Sequence, residues 1–483
     1  MTASIVINGL ILLEIVIDLT TILYILGRRN ARHNTTLTWI LVIIIVPFVG
    51  GPIIYFLFGE PWLTRRRTQK QAEILKELHE SPLQSVSLIR ASHADLSPRF
   101  ESLSHLAEAV SGYEPQAGNK MRLINDTEEL VNSIVQDISQ AQHHVHILTY
   151  IFLNDESGNT VANALITAAQ RGITCRLLVD SLGSRQFLQS DLPQRLRDAG
   201  VHVAEALPTN IFRAVAGRFD LRNHRKITVI DGQIAYTGSH NLASASFAIK
   251  PKFAPWVDAT ARIMGPVARD LQKVFIEDWF LDTDESLLEM LEIHPTVHPS
   301  SNVIAQILGT GPNSLNDAIS QLIITLMHLA TDELVLTTPY FVPDQAVIAA
   351  LCTAARRGVN TILVVPKRND SRLVSAASRS YYSSLLESGI QIREYTKGLL
   401  HAKTISVDKQ LALVTSANLD RRSFELNLEI SMLVYDTDFA SELRFLQQSY
   451  IDSSNLINAR DWENRAWWRR LAENTAGTVS PLL

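Results

Sequence analysis

Two stretches of the sequence carry the same set of polar residues, His224-Arg-Lys-Ile-Thr-Val-Ile-Asp231 and His401-Ala-Lys-Thr-Ile-Ser-Val-Asp408. In each copy the lysine follows the histidine by two positions, the aspartate by seven, a serine by fifteen and an asparagine by seventeen. The second histidine lies 177 residues after the first. Because the same residue types recur at matched spacings, we interpret the chain as an internal duplication whose copies contribute to one shared site.

The residues around each copy indicate an α/β fold. From about residue 120, apolar runs typical of strands alternate with stretches of helical periodicity, and the second half repeats this order. The segment Ala164–Gly172 also returns in similar form as Ala350–Gly358. We therefore predict two tandem α/β halves with pseudo-two-fold symmetry.

The composition restricts the class of protein. With 483 residues, of which 46% are hydrophobic, the chain can bury a large core. Its net charge of −5 disfavours a nucleic-acid partner, because proteins that bind nucleic acid usually present a net basic face to the phosphates.

Two apolar segments near the N-terminus, residues 5–26 and 37–58, are each long enough to span a bilayer and predict a membrane hairpin. Pro47 and the Gly50-Gly51-Pro52 run predict a kink in the second span. Basic residues are more frequent after the hairpin than within it, which favours a cytoplasmic catalytic part. Glu14 and Asp18 share one face of the first span, which suits either pairing of the two helices or passage of a lipid headgroup, and the sequence does not decide between these roles.

These patterns predict six segments: two transmembrane helices (1–62), a helical stalk or linker (63–119), the first half (120–281), a linker (282–303), the second half (304–455) and a C-terminal amphipathic segment (456–483). The last segment mixes Trp and Arg between residues 462 and 471. That pattern suits either contact with a membrane surface or docking on the protein itself.

The repeated residues suit attack on a phosphodiester. One imidazole can act as the nucleophile and the other as the general acid, because a pKa of about 6.5 allows both protonation states near neutral pH. Lys226 and Lys403 can neutralise the phosphate oxygens, and the Ser and Asn side chains can donate further hydrogen bonds. We therefore expect no metal and no other cofactor.

Both copies of the His-x-Lys-x4-Asp motif resemble the phospholipase D superfamily, over roughly residues 120–450. More narrowly, Thr338-Pro-Tyr-Phe-Val-Pro343, Gly398-Leu-Leu-His401 and Ser416-Ala-Asn-Leu-Asp-Arg-Arg-Ser-Phe424 resemble the bacterial cardiolipin synthase family with two N-terminal membrane helices. The resemblance implies transfer of a phosphatidyl group between two phosphatidylglycerol molecules through a phosphohistidine. It also implies a location in the bacterial inner membrane, with phosphatidylglycerol and cardiolipin as lipid partners.

The resemblance also implies roles for individual residues. Asp258 and Glu429 would each orient a histidine, and Asp231 and Asp408 would be more structural than the other motif residues. The predicted catalytic set is His224, Lys226, Asp231, His401, Lys403 and Asp408, and the predicted supporting set is Ser239, Asn241, Ser416, Asn418, Asp258 and Glu429.

Several alternatives remain open at the level of sequence. They include a hydrolytic phospholipase D, another phosphatidyltransferase, a nuclease and a non-catalytic membrane scaffold. The sequence does not decide which histidine is the nucleophile, which alcohol is the acceptor, or whether the protein forms a homo-oligomer. The first half also carries twelve extra residues between Glu205 and His224, in which Phe212 and Phe219 predict a helical segment that dips into an anionic lipid surface.

Overall fold

The computed structural model describes residues 2–27, 33–46, 50–56, 65–80, 95–208, 221–247, 249–292, 303–312 and 317–478. The chain forms two compact units, one from the N-terminus to Lys70 and one comprising Gln71–Pro208 with Leu221–Leu483. Phe212 and Phe219 of the predicted insertion lie outside the described residues, as do residues 293–302 of the predicted linker.

The N-terminal unit contains the helices Thr2–Leu26, His33–Ile45 and Gly50–Ile54, and a further helix, Arg65–Glu80, begins in it. Within the first helix, Ile7–Leu26 has a mean hydropathy of 2.2 and is long enough to cross a membrane. This helix agrees in length and composition with the first predicted span.

A second membrane-spanning helix is not confirmed. In place of one span over 37–58, the structure has the shorter helices His33–Ile45 and Gly50–Ile54, and residues 47–49 and 57–64 lie outside the described residues. An interruption near this point has a physical reason, because a proline disfavours helical geometry in the residue before it. The rings of Trp39 and Tyr55 pack edge to face at 5.5 Å, so the residues after the interruption contact the helix before it.

The second unit is organised around one sheet of fifteen strands. The strands of the first half are β1 (Gln116–Ile124), β2 (His144–Thr149), β3 (Thr174–Asp180), β4 (His202–Ala206), β5 (Ile227–Ile230), β6 (Ile234–Gly238), β7 (Trp256–Val257) and β8 (Thr260–Met264). Those of the second half are β9 (Val303–Thr310), β10 (Glu333–Thr337), β11 (Phe341–Val342), β12 (Asn360–Pro366), β13 (Gln391–Tyr395), β14 (Leu399–Leu400), β15 (Thr404–Val407), β16 (Leu411–Thr415), β17 (Leu419–Asp420), β18 (Glu429–Val434) and β19 (Ser454–Leu456).

The order of the strands confirms the α/β class and the duplication. From the centre outward, the first half runs β1, β8, β6, β5, β2, β3, β4 and the second runs β9, β18, β16, β15, β10, β12, β13, β19. Strands β7 and β14, and likewise β11 and β17, pair outside this sheet. Strands β1 and β9 pair antiparallel at the centre, so both halves belong to one sheet around a pseudo-two-fold axis. Because β1 begins at Gln116, the expected boundary at residue 120 falls inside this strand.

Helices cover the sheet, whose strands β2 and β18 are buried along their whole length. The longer helices are Pro98–Ser111, Thr127–Gln140, Glu156–Gln170, Leu192–Asp198, Pro266–Thr283, Ala318–Leu329, Gln345–Arg356, Arg372–Ser380 and Thr437–Asp452. The shorter ones are Arg185–Leu188, Tyr382–Glu387 and Arg421–Glu425, with 3-10 turns at Pro251–Phe253 and Leu288–Glu292. Side chains of Asp126, Asp155, Asp344 and Asp436 each cap a helix by accepting a backbone N–H, which fixes where these helices begin.

Helix Pro98–Ser111 is not a free stalk. Its residues Phe100, Leu103 and Ala107 are buried in the same core cluster as Leu326 and Leu351 of the second half. The sequence pattern allowed either a stalk or a packing arm here, and this helix packs. The predicted linker segment therefore supplies part of the core of the second half.

The C-terminal segment docks on the protein and also exposes apolar side chains. The structure has two helices there, Ala459–Glu463 and Trp467–Thr478, and Ala476 packs in a cluster with Ala377 of helix Arg372–Ser380. Trp467, Trp468 and Leu471 are exposed.

The motif aspartates hold the start of equivalent strands. Asp231 accepts hydrogen bonds from the backbone N–H groups of Gln142, His143 and His144, each at 2.8 Å. Asp408 does the same for the three residues from Thr331 to Glu333, at 2.7 to 2.9 Å, and also pairs with Arg99. Burial raises the pKa of Asp408, but these donors outweigh it and lower the pKa to about 2.

We expect Asp408→Asn to lower the free energy of unfolding by about 2 kcal/mol at pH 7, because an amide cannot replace a carboxylate that accepts several charge-assisted bonds. The difference in unfolding free energy between wild type and variant should be largest above about 3.9, the pKa of the carboxyl group in the unfolded chain. It should shrink as the pH falls towards 2. Denaturation of the full chain in detergent measures it. Arg99→Gln, which keeps the carboxylate, should cost less, and an unchanged unfolding midpoint for Asp408→Asn would contradict this role.

Candidate active site

A cavity of about 460 Å³ lies where the two halves meet. Both histidines and both lysines of the repeated motif line it. The residues that line it are Tyr150, Ile151, Leu182, Gly183, His224, Lys226, Asn241, Phe247, Ile249, Lys250, Trp256, Tyr340, Asp370, His401, Lys403, Ser416 and Asn418.

The local sequence explains how each histidine and lysine reach the same cavity. His224 and Lys226 lie just before β5, and His401 and Lys403 lie just before β15. Residues two apart in an extended chain point to the same side, so the two functional side chains of each copy lie together. Each lysine Nζ donates to the carbonyl oxygen of its own histidine, at 2.8 Å in both copies.

The residue between them points the other way. Arg225 is buried, forms an ion pair with Asp278 at 2.8 Å, and donates to the backbone oxygens of Glu429 and Thr310. These contacts join the first motif to two strands of the second half. No spacing in the sequence marks Arg225, because the second copy has Ala402 at the equivalent position.

Each histidine is held by a carboxylate from the opposite half. His224 Nδ1 lies 3.1 Å from Glu429 Oε1, and His401 Nδ1 lies 2.6 Å from Asp258 Oδ1. The sequence resemblance gave these two carboxylates an orienting role but did not indicate that the pairs cross between the halves. One half alone therefore has neither histidine–carboxylate pair.

A serine supports each carboxylate from behind. Ser416 donates to Glu429, and Ser239 donates to Asp258. Burial would raise the pKa of both carboxyls, but their histidine partners outweigh it, and both pKa values lie below the usual range. Both groups are thus carboxylates that can accept the Nδ1 proton of a histidine and leave Nε2 to react.

The cavity is electropositive and buried. Burial lowers the pKa of Lys226 to about 8, although Glu429 and other carboxylates oppose it. Burial, together with the charge of Lys226, lowers the pKa of Lys403 to about 7 against the opposing effect of Asp258. Burial and Lys403 lower the pKa of His401 to about 4. A phosphodiester anion between these groups would favour their charged forms, so its binding and their protonation reinforce each other.

The histidines also contact residues that the motif spacing did not reveal. Asn427 Nδ2 lies 3.0 Å from His224 Nδ1 and 3.2 Å from Glu429. The ring of Tyr150 packs against His224 with centroids 4.2 Å apart, and Trp256 packs against His401 at 4.6 Å. These rings exclude water from one side of each imidazole.

The fold brings most of the predicted set together. Seven members line the cavity, namely His224, Lys226, Asn241, His401, Lys403, Ser416 and Asn418. Asp258, Glu429 and Ser239 lie directly behind the histidines. Asp231 and Asp408, which were placed in the catalytic set, do not line the cavity, because they are engaged with backbone at the far ends of β5 and β15. Among the described residues, no group of three or more His, Cys, Asp or Glu could hold a metal ion.

Comparison with known proteins agrees with this geometry. A family model described as "Cardiolipin synthase, PLD-like domain" matches residues 134–279 and 323–448, one match in each half. The chain belongs to the phospholipase D-like cardiolipin synthase family. A second model, "Phospholipase D-nuclease N-terminal", matches residues 16–60 of the N-terminal unit.

Relatives in this family match almost the whole chain. Cardiolipin synthase A of Serratia proteamaculans is 39% identical over 472 residues, which cover 95% of both chains. Cardiolipin synthase A of Pectobacterium carotovorum is 38% identical over 465 residues with the same coverage. The crystal structure of phosphatidylserine synthase from Haemophilus influenzae has a TM-score of 0.59 and 15% identity, and covers 79% of this chain and 98% of that chain. At that identity the likeness shows the fold.

For this member of the cardiolipin synthase family we expect Asp258→Asn and Glu429→Gln each to lower kcat by about 10³–10⁴-fold, because each removes the group that fixes the tautomer and orientation of a histidine. Both variants should stay folded, which circular dichroism checks, since the amides keep the shape of the carboxyl groups. Near-normal turnover in either variant would show that the crossed pairs are not needed.

Proposed function

We propose that this protein transfers the phosphatidyl group of one phosphatidylglycerol to a headgroup hydroxyl of a second, which releases glycerol and forms cardiolipin. The observation that carries the proposal is the pair of His–Lys sets in one cavity, in a chain that matches proteins named cardiolipin synthase A along 95% of their length. A phosphatidyltransferase needs a nucleophile, a general acid and cations for the phosphate, and this cavity supplies all three.

In the first step, His224 Nε2 attacks the phosphorus and the bond from phosphorus to the headgroup glycerol oxygen breaks. Among the described residues, Nε2 of His224 has no hydrogen-bond partner, whereas Nε2 of His401 already lies 3.1 Å from Lys403 Nζ. This difference supports His224 as the nucleophile. His401, protonated once the diester anion is bound, gives its Nε2 proton to the departing glycerol oxygen.

In the second step, a hydroxyl oxygen of the incoming phosphatidylglycerol attacks the phosphorus of the phosphatidyl-histidine. His401 takes the hydroxyl proton, the N–P bond breaks, and His224 is free again. Lys226 and Lys403 neutralise the nonbridging oxygens in both steps. Water in place of the hydroxyl would give phosphatidic acid, so the outcome depends on which acceptor occupies the cavity.

The membrane supplies both lipids. The helix that contains Ile7–Leu26 supports anchoring in a bilayer, and the excess of basic residues after residue 60 supports a catalytic part on the cytoplasmic side of the bacterial inner membrane. We also propose that residues 37–58 cross the bilayer a second time.

Purified full-length protein in detergent, given phosphatidylglycerol alone, should form cardiolipin and glycerol in equal amounts, and EDTA should leave the rate unchanged. His224→Ala and His401→Ala should each lower this rate by more than about 10³-fold, because nucleophilic and acid–base functions are both lost from a single shared site. Lipid products are separated by chromatography and glycerol is assayed enzymatically.

Phosphatidic acid as the main product would favour a hydrolytic phospholipase D instead. A single histidine variant with near-normal turnover would contradict the shared site. Loss of activity with EDTA that one divalent ion restores would contradict the metal-free mechanism.

The roles of the two histidines can be separated with a short-chain phosphatidyl ester of p-nitrophenol, whose leaving group needs no proton. His401→Ala should still release nitrophenolate, whereas His224→Ala should release none, because only His224 forms the bond to phosphorus. Rapid-quench absorbance measures the release. The opposite pattern would assign the nucleophile to His401.

A further inference from the structure

The walls of the cavity differ between the halves, although its catalytic groups are related by the duplication. Thr149 and Thr338 each donate a hydrogen bond from Oγ1 to the carbonyl oxygen two residues later, which identifies Ile151 and Tyr340 as equivalent residues. Both line the cavity, yet one is aliphatic and the other carries a phenol.

The loops that follow the equivalent strands β3 and β12 differ in the same way. After β3, the cavity is lined by Leu182 and Gly183. After β12, it is lined by Asp370. The first half therefore presents an apolar wall at these positions, and the second half presents a polar wall.

Asp370 is the centre of the polar wall. It accepts a hydrogen bond from the Tyr340 hydroxyl at 2.7 Å and pairs with Lys250, which comes from the first half. Its side chain is only 4% exposed. Among the described residues that line the cavity, it is the one acidic side chain.

A carboxylate in this cavity cannot serve to bind the phosphate, because like charges repel. It can accept hydrogen bonds from hydroxyl groups, since an ionised carboxylate offers about four lone-pair sites and no donor. Tyr340 donates a hydrogen bond to Oδ1 of Asp370, and Lys250 donates one to Oδ2. Sites on them remain for a ligand, and the Lys250 ammonium offsets the charge.

We propose that Asp370, held by Tyr340 and Lys250, binds the hydroxyl groups of the glycerol headgroup and so selects a polyol as the acceptor. The apolar wall at Ile151 and Leu182 then takes the less polar, diacylglycerol side of the diester. This inference rests on the proposed phosphatidyl transfer and adds to it the residue that selects the alcohol. Asp370 binds the leaving glycerol in the first step and the entering headgroup in the second. One binding site serves both steps, because the second step is the chemical reverse of the first.

The test separates acceptor choice from donor cleavage. The full-length enzyme receives the short-chain phosphatidyl ester of p-nitrophenol, whose leaving group has no hydroxyl beside the reacting oxygen, together with equal concentrations of glycerol and 1-propanol in one tube. The ratio of phosphatidylglycerol to phosphatidylpropanol is the readout. It does not depend on the fraction of enzyme that is folded, because both products come from the same sample.

We expect wild type to favour glycerol, and Asp370→Asn to lower the ratio about tenfold, as the loss of a hydrogen bond to a charged group predicts. Asp370→Ser gives the same comparison if the Asn variant does not fold. Asp137→Asn is the matched control, because Asp137 also accepts from a tyrosine hydroxyl (Tyr236) and pairs with a cation (Arg262) but does not line the cavity. The control should keep the wild-type ratio.

Two results would overturn the proposal: no preference for glycerol in wild type, or an equal fall of both products in Asp370→Asn. The phosphatidyl transfer itself is judged separately, by whether wild type makes cardiolipin from phosphatidylglycerol alone. A wild type that makes no cardiolipin but shows a ratio dependent on Asp370 would contradict the proposed function and support the polyol site.

Discussion

The crossed contacts between His224 and Glu429 and between His401 and Asp258 are the interactions on which the site depends. Each joins the sheet of one half to the imidazole of the other. Glu429 begins β18, and β18 pairs with β9 at the centre of the sheet, next to the junction with β1. The position of His224 is therefore set by the same hydrogen-bonded strands that join the halves.

The charged side chains buried around the site need partners that offset the cost of removing them from water. Arg225, Asp278, Glu429, Asp258 and both motif lysines are buried, and an unpaired charge at such depth would cost several kcal/mol. Arg225 pairs with Asp278 and each carboxylate pairs with a histidine and a serine. Lys226 donates to a backbone oxygen and lies over the Tyr150 ring, and Lys403 contacts a backbone oxygen and an imidazole. Burial lowers the pKa of both lysines although carboxylates lie nearby. An anionic diester bound beside the two lysines would favour their charged forms.

Symmetry and asymmetry serve different purposes in this fold. The catalytic groups must act in turn on one phosphorus atom, so two nearly identical copies facing each other suffice. The two sides of the phosphodiester are chemically unlike, however, because one is an alcohol headgroup and the other carries acyl chains. The equivalent residues Ile151 and Tyr340 differ in this sense, and so do the lining residues of the loops after β3 and β12, Leu182 and Asp370. The walls can therefore distinguish the two sides of the diester, which the paired histidines cannot.

The sequence by itself determined the α/β class and the duplication. Ten of the twelve site residues predicted from it lie at or directly behind the cavity, because the catalytic residues keep fixed spacings that repeat at a visible offset. It also determined the first apolar helix, since length and composition suffice for that. The tertiary structure decided that the histidine–carboxylate pairs cross between the halves and that Asp231 and Asp408 hold backbone away from the cavity. It also decided that Arg225 contacts strands of the second half and that Asp370 pairs with Lys250 of the first. Those contacts join residues about 50 to 205 positions apart, and they have no periodicity, because side chains from distant segments meet only once the sheet has brought its strands together.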